Sequence, residues 1–137
     1  MRTTRVPVFI YASDPLSAAG ARALLQLEQG IELVGPDIDR ARVALVVTDT
    51  VDEGLCRVAR AIQRDGAPRL AAVASRFTEA GVISAVGAGV RGFVRRSEAS
   101  GSRLAGLIEE VDEGGGLPPG LLDRADRAAP VAASVAA

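Results

Sequence analysis

The chain is 137 residues long, the size of one domain, and its 48% hydrophobic and 24% charged residues suffice to bury a core. It contains no His, Lys, Asn or Trp; all its basic residues are Arg, and Cys56 is its single thiol. This excludes Cys/His zinc sites, Ser-His-Asp and Cys-His pairs, Schiff-base and Walker lysines and intrachain disulfides, leaving Asp, Glu, Ser, Thr, Tyr and Arg for chemistry.

A net charge of −1 and 3% aromatic residues provide neither a basic field nor a stacking platform, so no direct nucleic-acid binding is expected. The apolar run at residues 6–12 is too short for a signal h-region, and nothing approaches the ~18 apolar residues of a membrane span. A cytoplasmic protein with no membrane partner is expected. A lone cysteine fits a reducing compartment, and Cys56 is read as a small buried hydrophobe on a helix.

Residues 6–11 (VPVFIY) form a β-branched and aromatic run that suits a buried strand stopped by Ser13-Asp14-Pro15. Asp14 as N-cap and Pro15 at the first helical position open a helix, on which Leu16, Ala19, Ala23, Leu24 and Leu27 are expected to face inward before Gly30. Residues 31–34 (IELV) make a second strand, and the polar 37–42 segment is too short for an ordinary helix. Residues 43–47 (VALVV) are apolar without a break, so this strand should be central and buried on both faces.

Thr50 or Asp52 then caps a helix through Gln63, with Leu55, Val58, Ala59 and Ile62 on its apolar face. A fourth strand follows at 70–74 (LAAVA), then a helix from Thr78 to Val86 with Thr78 as cap, then a fifth strand at 92–95 (GFVR). Ser100 or Ser102 caps a final helix through Val111, with Leu104, Leu107, Ile108 and Val111 inward. The LPPGLLDRADR segment offers one or two helical turns, and residues 128–137 form a low-complexity tail expected to be disordered beyond a folded unit at 1–127.

Strands alternating with helices, joined by right-handed crossovers, make an α/β fold: a three-layer, doubly wound parallel five-stranded sheet. In such sheets functional groups gather beyond the carboxyl ends of the strands. Those ends carry Ser13 and Asp14, Thr48 and Asp49, Ala74 and Ser75, and Arg95 and Arg96.

Two stretches, SDPLSAAGARALLQLEQGIELVG at 13–35 and AVGAGVRGFVRRSEASGSRLAGLIEEVDEGGGLPP at 85–119, resemble receiver domains of bacterial response regulators. Within that family they are similar to the LuxR/NarL-type subfamily of actinobacterial transcription factors, through the phrases GVRGFV and GGGLPP. The resemblance implies receiver, or flavodoxin-like, topology with strand order 2-1-3-4-5 and a shortened second helix. It also implies a two-component role in phosphorelay signal transduction and transcription regulation.

A competent receiver has a phosphate-accepting Asp, an acidic pair for Mg²⁺, a Ser/Thr on the phosphoryl group and a Lys paired with it. Carried over position by position, the acidic pair falls on Ser13-Asp14, the Lys on Arg96, and the Ser/Thr on Ala74, with Ser75 one residue late. The acceptor falls between Val47 and Asp49, with Thr48 in the same loop; a one-residue offset turns a strand side chain to the other face.

The resemblance therefore implies a degenerate phospho-site: no metal, no cofactor, no catalysis, and a pseudo-receiver that signals without phosphate. Arg96 is expected to stand as a permanent cation beside Asp14 or Asp49. The alternative is a competent receiver taking phosphate on Asp49 from a histidine kinase. Each of these residues also has a plainer role, Asp14 as a helix cap, Thr48 and Asp49 as turn residues, Tyr11 as core filler, Arg95 and Arg96 as a solvated edge. The implied partners are a second copy, bound through an apolar patch of Val82, Ile83, Val86 and Phe93, and another regulatory protein or a helix-turn-helix domain.

Overall fold

Strand β1 (Val6–Ala12) leads into helix α1 (Pro15–Gln26) and strand β2 (Ile31–Leu33) in the computed structural model, which describes residues 5–36, 38–66 and 68–114. A single 3-10 turn (Ile38–Arg40) separates β2 from β3 (Val43–Val47). Then come α2 (Glu53–Gly66), β4 (Arg69–Ala74), α3 (Glu79–Gly87), β5 (Val90–Arg95), a 3-10 turn (Arg96–Glu98) and α4 (Gly101–Asp112). The expected turns after residue 116 and the tail from 128 lie outside the described residues.

All strand pairs are parallel and the sheet order is β2-β1-β3-β4-β5. This is the doubly wound receiver topology, with the second helix reduced to the turn at Ile38–Arg40. All five residues of β3 are buried, because the strand is central and helices cover both sides of it. Val43, Leu45 and Val47 pack with Ala21 and Leu25 of α1 and Leu104, Ile108 and Val111 of α4. Ala44 and Val46 pack in the opposite layer with Leu55, Ala59 and Ile62 of α2 and Ala85 of α3. Cys56 is buried in that second layer, and removal from water pushes its thiol pKa upward.

The helix starts follow local chemistry. Asp14, Thr78 and Ser100 cap α1, α3 and α4 by accepting backbone N–H bonds from Ser17, Gly81 and Arg103. Asp52 accepts from the Leu55 N–H at the head of α2, which settles the choice between it and Thr50. At its far end α4 is held to the opposite edge of the sheet: Asp112 pairs with Arg42 at 2.9 Å, and Arg69 donates to the Asp112 carbonyl at 2.6 Å. A cation on the last carbonyls of a helix offsets its C-terminal partial charge.

Helix α1 departs from expectation. Its buried residues are Ala21 and Leu25, whereas Leu16 and Leu27 are 84% and 82% exposed and Ala19, Ala23 and Leu24 also face out. Alanine and leucine are spread round the helix, so two stripes at helical spacing compete. Docking of the residue 21 and 25 stripe onto β1, β3 and α4 selects one of them.

Candidate functional site

The carboxyl ends of β1, β3, β4 and β5 lie along one edge of the sheet, where the loops carry the polar residues singled out above. Register sets their level: Ala12 pairs with Val47, Val47 with Val73, and Val73 with Val94. The last residue of β3 is thus Val47, an apolar side chain 5% exposed within the α1/α4 core. Asp49 lies two residues further on, exposed and beyond the strand. Its backbone carbonyl accepts N–H bonds from both Ser75 and Arg76 at 3.0 Å, tying the loop after β3 to the loop after β4.

Asp14 spends both carboxylate oxygens on Ser17. One accepts the Ser17 backbone N–H at 2.8 Å and the other accepts the Ser17 hydroxyl, also at 2.8 Å. These bonds, the backbone one foremost, hold the Asp14 carboxyl below its ordinary pKa, and the nearby Arg96 guanidinium pulls in the same direction. Arg96 opens the 3-10 turn after β5 and reaches across the edge of the sheet. Its Nη1 donates to Ser17 Oγ at 3.1 Å and its Nη2 to the Thr48 carbonyl at 3.5 Å.

The structure therefore brings together Asp14, Arg96 and Thr48, through the carbonyl of the last, and adds Ser17, which the sequence reading passed over. Ser17 sits three residues after a capping Asp, and that spacing is the local signal for it. Ser13 joins only through its backbone, donating to the Val47 carbonyl at 3.3 Å. Ala74 is buried with no polar side-chain atom to offer, and Ser75 is exposed. Among the described residues no ion pair reaches Asp49. Arg95 turns away, its guanidinium 5.3 Å from the centre of the Phe77 ring.

A Mg²⁺ ion needs several hard oxygen donors converging on one point. Among the described residues no group of three acidic or cysteine side chains is placed to hold a metal ion. Both oxygens of Asp14 are turned to Ser17, and β3 ends on the apolar Val47. The residues of this edge do not fit Mg²⁺.

Of the four residues of the expected apolar patch, one is buried and three are half-buried. Val86 is 2% exposed, and Val82 and Phe93 pack against the α2/α3 core, Phe93 meeting Phe77 edge to face at 6.0 Å. Ile83 is half-buried. Among the described residues the large apolar side chains that remain in water sit mostly on α1.

No protein-family model matches the chain, and no curated protein matches it. Solved structures do. The isolated receiver domain of RcsB from Salmonella enterica serovar Typhimurium aligns with a TM-score of 0.66 at 16% identity, over 90% of this chain and 99% of that domain. The signal receiver domain of the putative response regulator NarL from Mycobacterium tuberculosis aligns with a TM-score of 0.65 at 19% identity, covering 81% of this chain and 98% of that one. ChrA, the response regulator of a heme-sensing two-component system, aligns with a TM-score of 0.61 at 24% identity over 90% of this chain. This chain spans 65% of the length of ChrA. At these identities the likeness establishes a shared receiver fold.

Proposed function

We propose that this chain is a receiver-type regulatory domain of the LuxR/NarL kind that acts without phosphorylation, passing its signal to a transcription-regulating output through protein contacts. The observation that carries this reading is Arg96. Its guanidinium bridges the Ser17–Asp14 cap and the Thr48 carbonyl, at an edge where β3 and β4 end on the buried apolar side chains of Val47 and Ala74. A permanent cation that already ties the loop after β5 to the head of α1 and the end of β3 does the joining work that phosphate and lysine do in a competent receiver. The proposal assigns the chain no turnover of its own.

The contact surface that best supports protein recognition is the outward face of α1. Leu16, Ala19, Gly20, Ala23 and Leu27 form a stripe without a charge on it, with small residues at its centre. An uncharged, leucine-bearing face costs free energy in water and is relieved by burial. A second copy packed antiparallel through a two-fold axis sets Leu16 of one helix against Leu27 of the other and brings Gly20 to Ala23. The output is either a DNA-binding stretch of the same polypeptide or a separate regulatory protein. RcsB, similar in fold, has been described in structures concerned with its DNA interaction.

The test is direct. The protein is incubated with acetyl phosphate and Mg²⁺ and its intact mass measured; no stable adduct of ~80 Da is expected. An adduct mapped to Asp49 would instead establish the competent receiver. No helix among the described residues is long and apolar enough to cross a membrane.

A further inference from the structure

Strand order places β1 beside β3 while the chain crosses to β2 on one side and to β4 on the other, so the gap between the ends of β1 and β3 is the topological switch point of this sheet. Doubly wound folds bind ligands in that crevice. Here the crevice is open. A cleft of about 390 Å³ lies between the ends of β1 and β3 and the first turns of α2, within the roughly 300–1,000 Å³ range of small-molecule sites.

The missing second helix makes it. The 3-10 turn that stands in its place covers only the last turn of α2, where a Cβ on Gly66 would lie 3.0 Å from the Ile38 carbonyl oxygen. Among the described residues nothing comparable covers the first turns, and Tyr11 is left 39% exposed on the face of β1 that a longer helix would screen. Val46, Leu55 and Val58 give the cleft an apolar floor, and Ser13 and Thr48 contribute to its wall at the strand ends.

Its charges are unequal in availability. Asp52 is turned to the head of α2, its Oδ1 accepting the Leu55 N–H at 3.2 Å. Arg57 also lines the cleft and folds back over the first turn, with Nη2 4.0 Å from the Cβ position of Gly54. Among the described residues Arg57 has no hydrogen-bond or ion-pair partner. An apolar slot beside an aromatic ring, with one free guanidinium, matches a flat aromatic body carrying a single anionic group.

We propose that the cleft between the ends of β1 and β3 and the head of α2 binds a small aromatic acid, its rings against Tyr11, Leu55 and Val58 and its anionic group on Arg57. The site depends on the shortened second helix and not on the phosphorylation state of the edge, so its failure leaves the pseudo-receiver reading standing.

The experiment titrates 2-naphthoate into the ¹⁵N-labelled full chain and follows amide shifts. Saturable changes are expected at Tyr11, Thr48, Leu55 and Arg57. Arg57→Gln weakens binding roughly tenfold, the size of one charge-assisted contact. The neutral analogue 2-naphthylmethanol binds the unsubstituted protein as weakly as the acid binds the variant. Val58→Trp, filling the slot, abolishes the shifts at an unchanged melting temperature. Should Val58→Trp not fold, the Arg57 variant and the neutral analogue still decide the matter. Shifts that fail to saturate, that map to the leucine face of α1, or that are indifferent to Arg57→Gln overturn the proposal.

Discussion

Arg96 Nη1 donates to the hydroxyl of Ser17 at 3.1 Å, across 79 positions of sequence. The same hydroxyl donates its proton to Asp14, so Ser17 relays between a cation and an anion that are not themselves in contact. A hydroxyl can do this because it donates once and still accepts. The relay fixes the loop after β5 against the head of α1.

The relay makes the Asp14 carboxyl a reporter. Its pKa lies below the ordinary ~3.9, so the favourable contribution is complete above that pH and fades as pH falls through the lower folded-state value. Carboxyl ¹³C titration of Asp14 should show a midpoint below the ordinary value. Ser17→Ala should raise it most, because the hydroxyl bond is lost and the Arg96 bridge with it; Arg96→Ala should raise it less. An Arg96→Ala effect larger than that of Ser17→Ala would contradict the geometry.

If the face of α1 carries a second copy, Leu16→Glu with Leu27→Glu should give a monomer by sedimentation velocity while far-UV circular dichroism stays unchanged, since both leucines are exposed. The unsubstituted protein should sediment as a dimer at high micromolar concentration. A monomer under those conditions removes this interface.

Two glycines predict opposite signs for one substitution. A Cβ on Gly81, in the first turn of α3, would collide with the Val51 carbonyl oxygen and crowd the Thr78 cap. Gly81→Ala should cost ~1–3 kcal/mol. Gly106, on the outer face of α4, has nothing within 4 Å of that position, so Gly106→Ala should stabilise by ~0.5–1 kcal/mol through helix propensity. Urea midpoints at constant slope measure both.

The Asp112 side chain is 4% exposed against 54% for Arg42. Asp112→Asn removes the anion from a position chosen for it and leaves Arg42 able to turn to water. A loss of ~1–2 kcal/mol is expected, below the cost of breaking a fully buried pair. Amide exchange in the last turn of α4 should rise with it, and an unaltered exchange rate there would show that the Arg42 pair does not hold the helix end.

Much of this architecture was written locally. The apolar run at 43–47 could only be a strand covered on both faces. The caps at Asp14, Thr78 and Ser100 stood three residues before the N–H groups they accept, and α2 showed one stripe of Leu55, Ala59 and Ile62 against an otherwise charged surface. These features depend on neighbours within a few positions, and so does the brevity of the segment that left the second helix out.

The rest depended on contacts far apart in sequence. The face α1 buries was open because alanine and leucine surround its axis, and β1, β3 and α4 together select Ala21 and Leu25. Packing of α3 on the sheet buried Val86 and left Val82, Ile83 and Phe93 half-exposed. The level of Val47 against Ala12 and Val73, with Asp49 two residues beyond, is set by strand pairing. The bond between Arg96 and Ser17, and the cleft beside Tyr11, arise where loops from different strands meet. Amino-acid order by itself determined which segments become strands and helices, since propensity, capping and periodicity act over a turn or two. Only tertiary packing decided which side chains meet at the sheet edge, because that depends on register and on which competing helix face is buried.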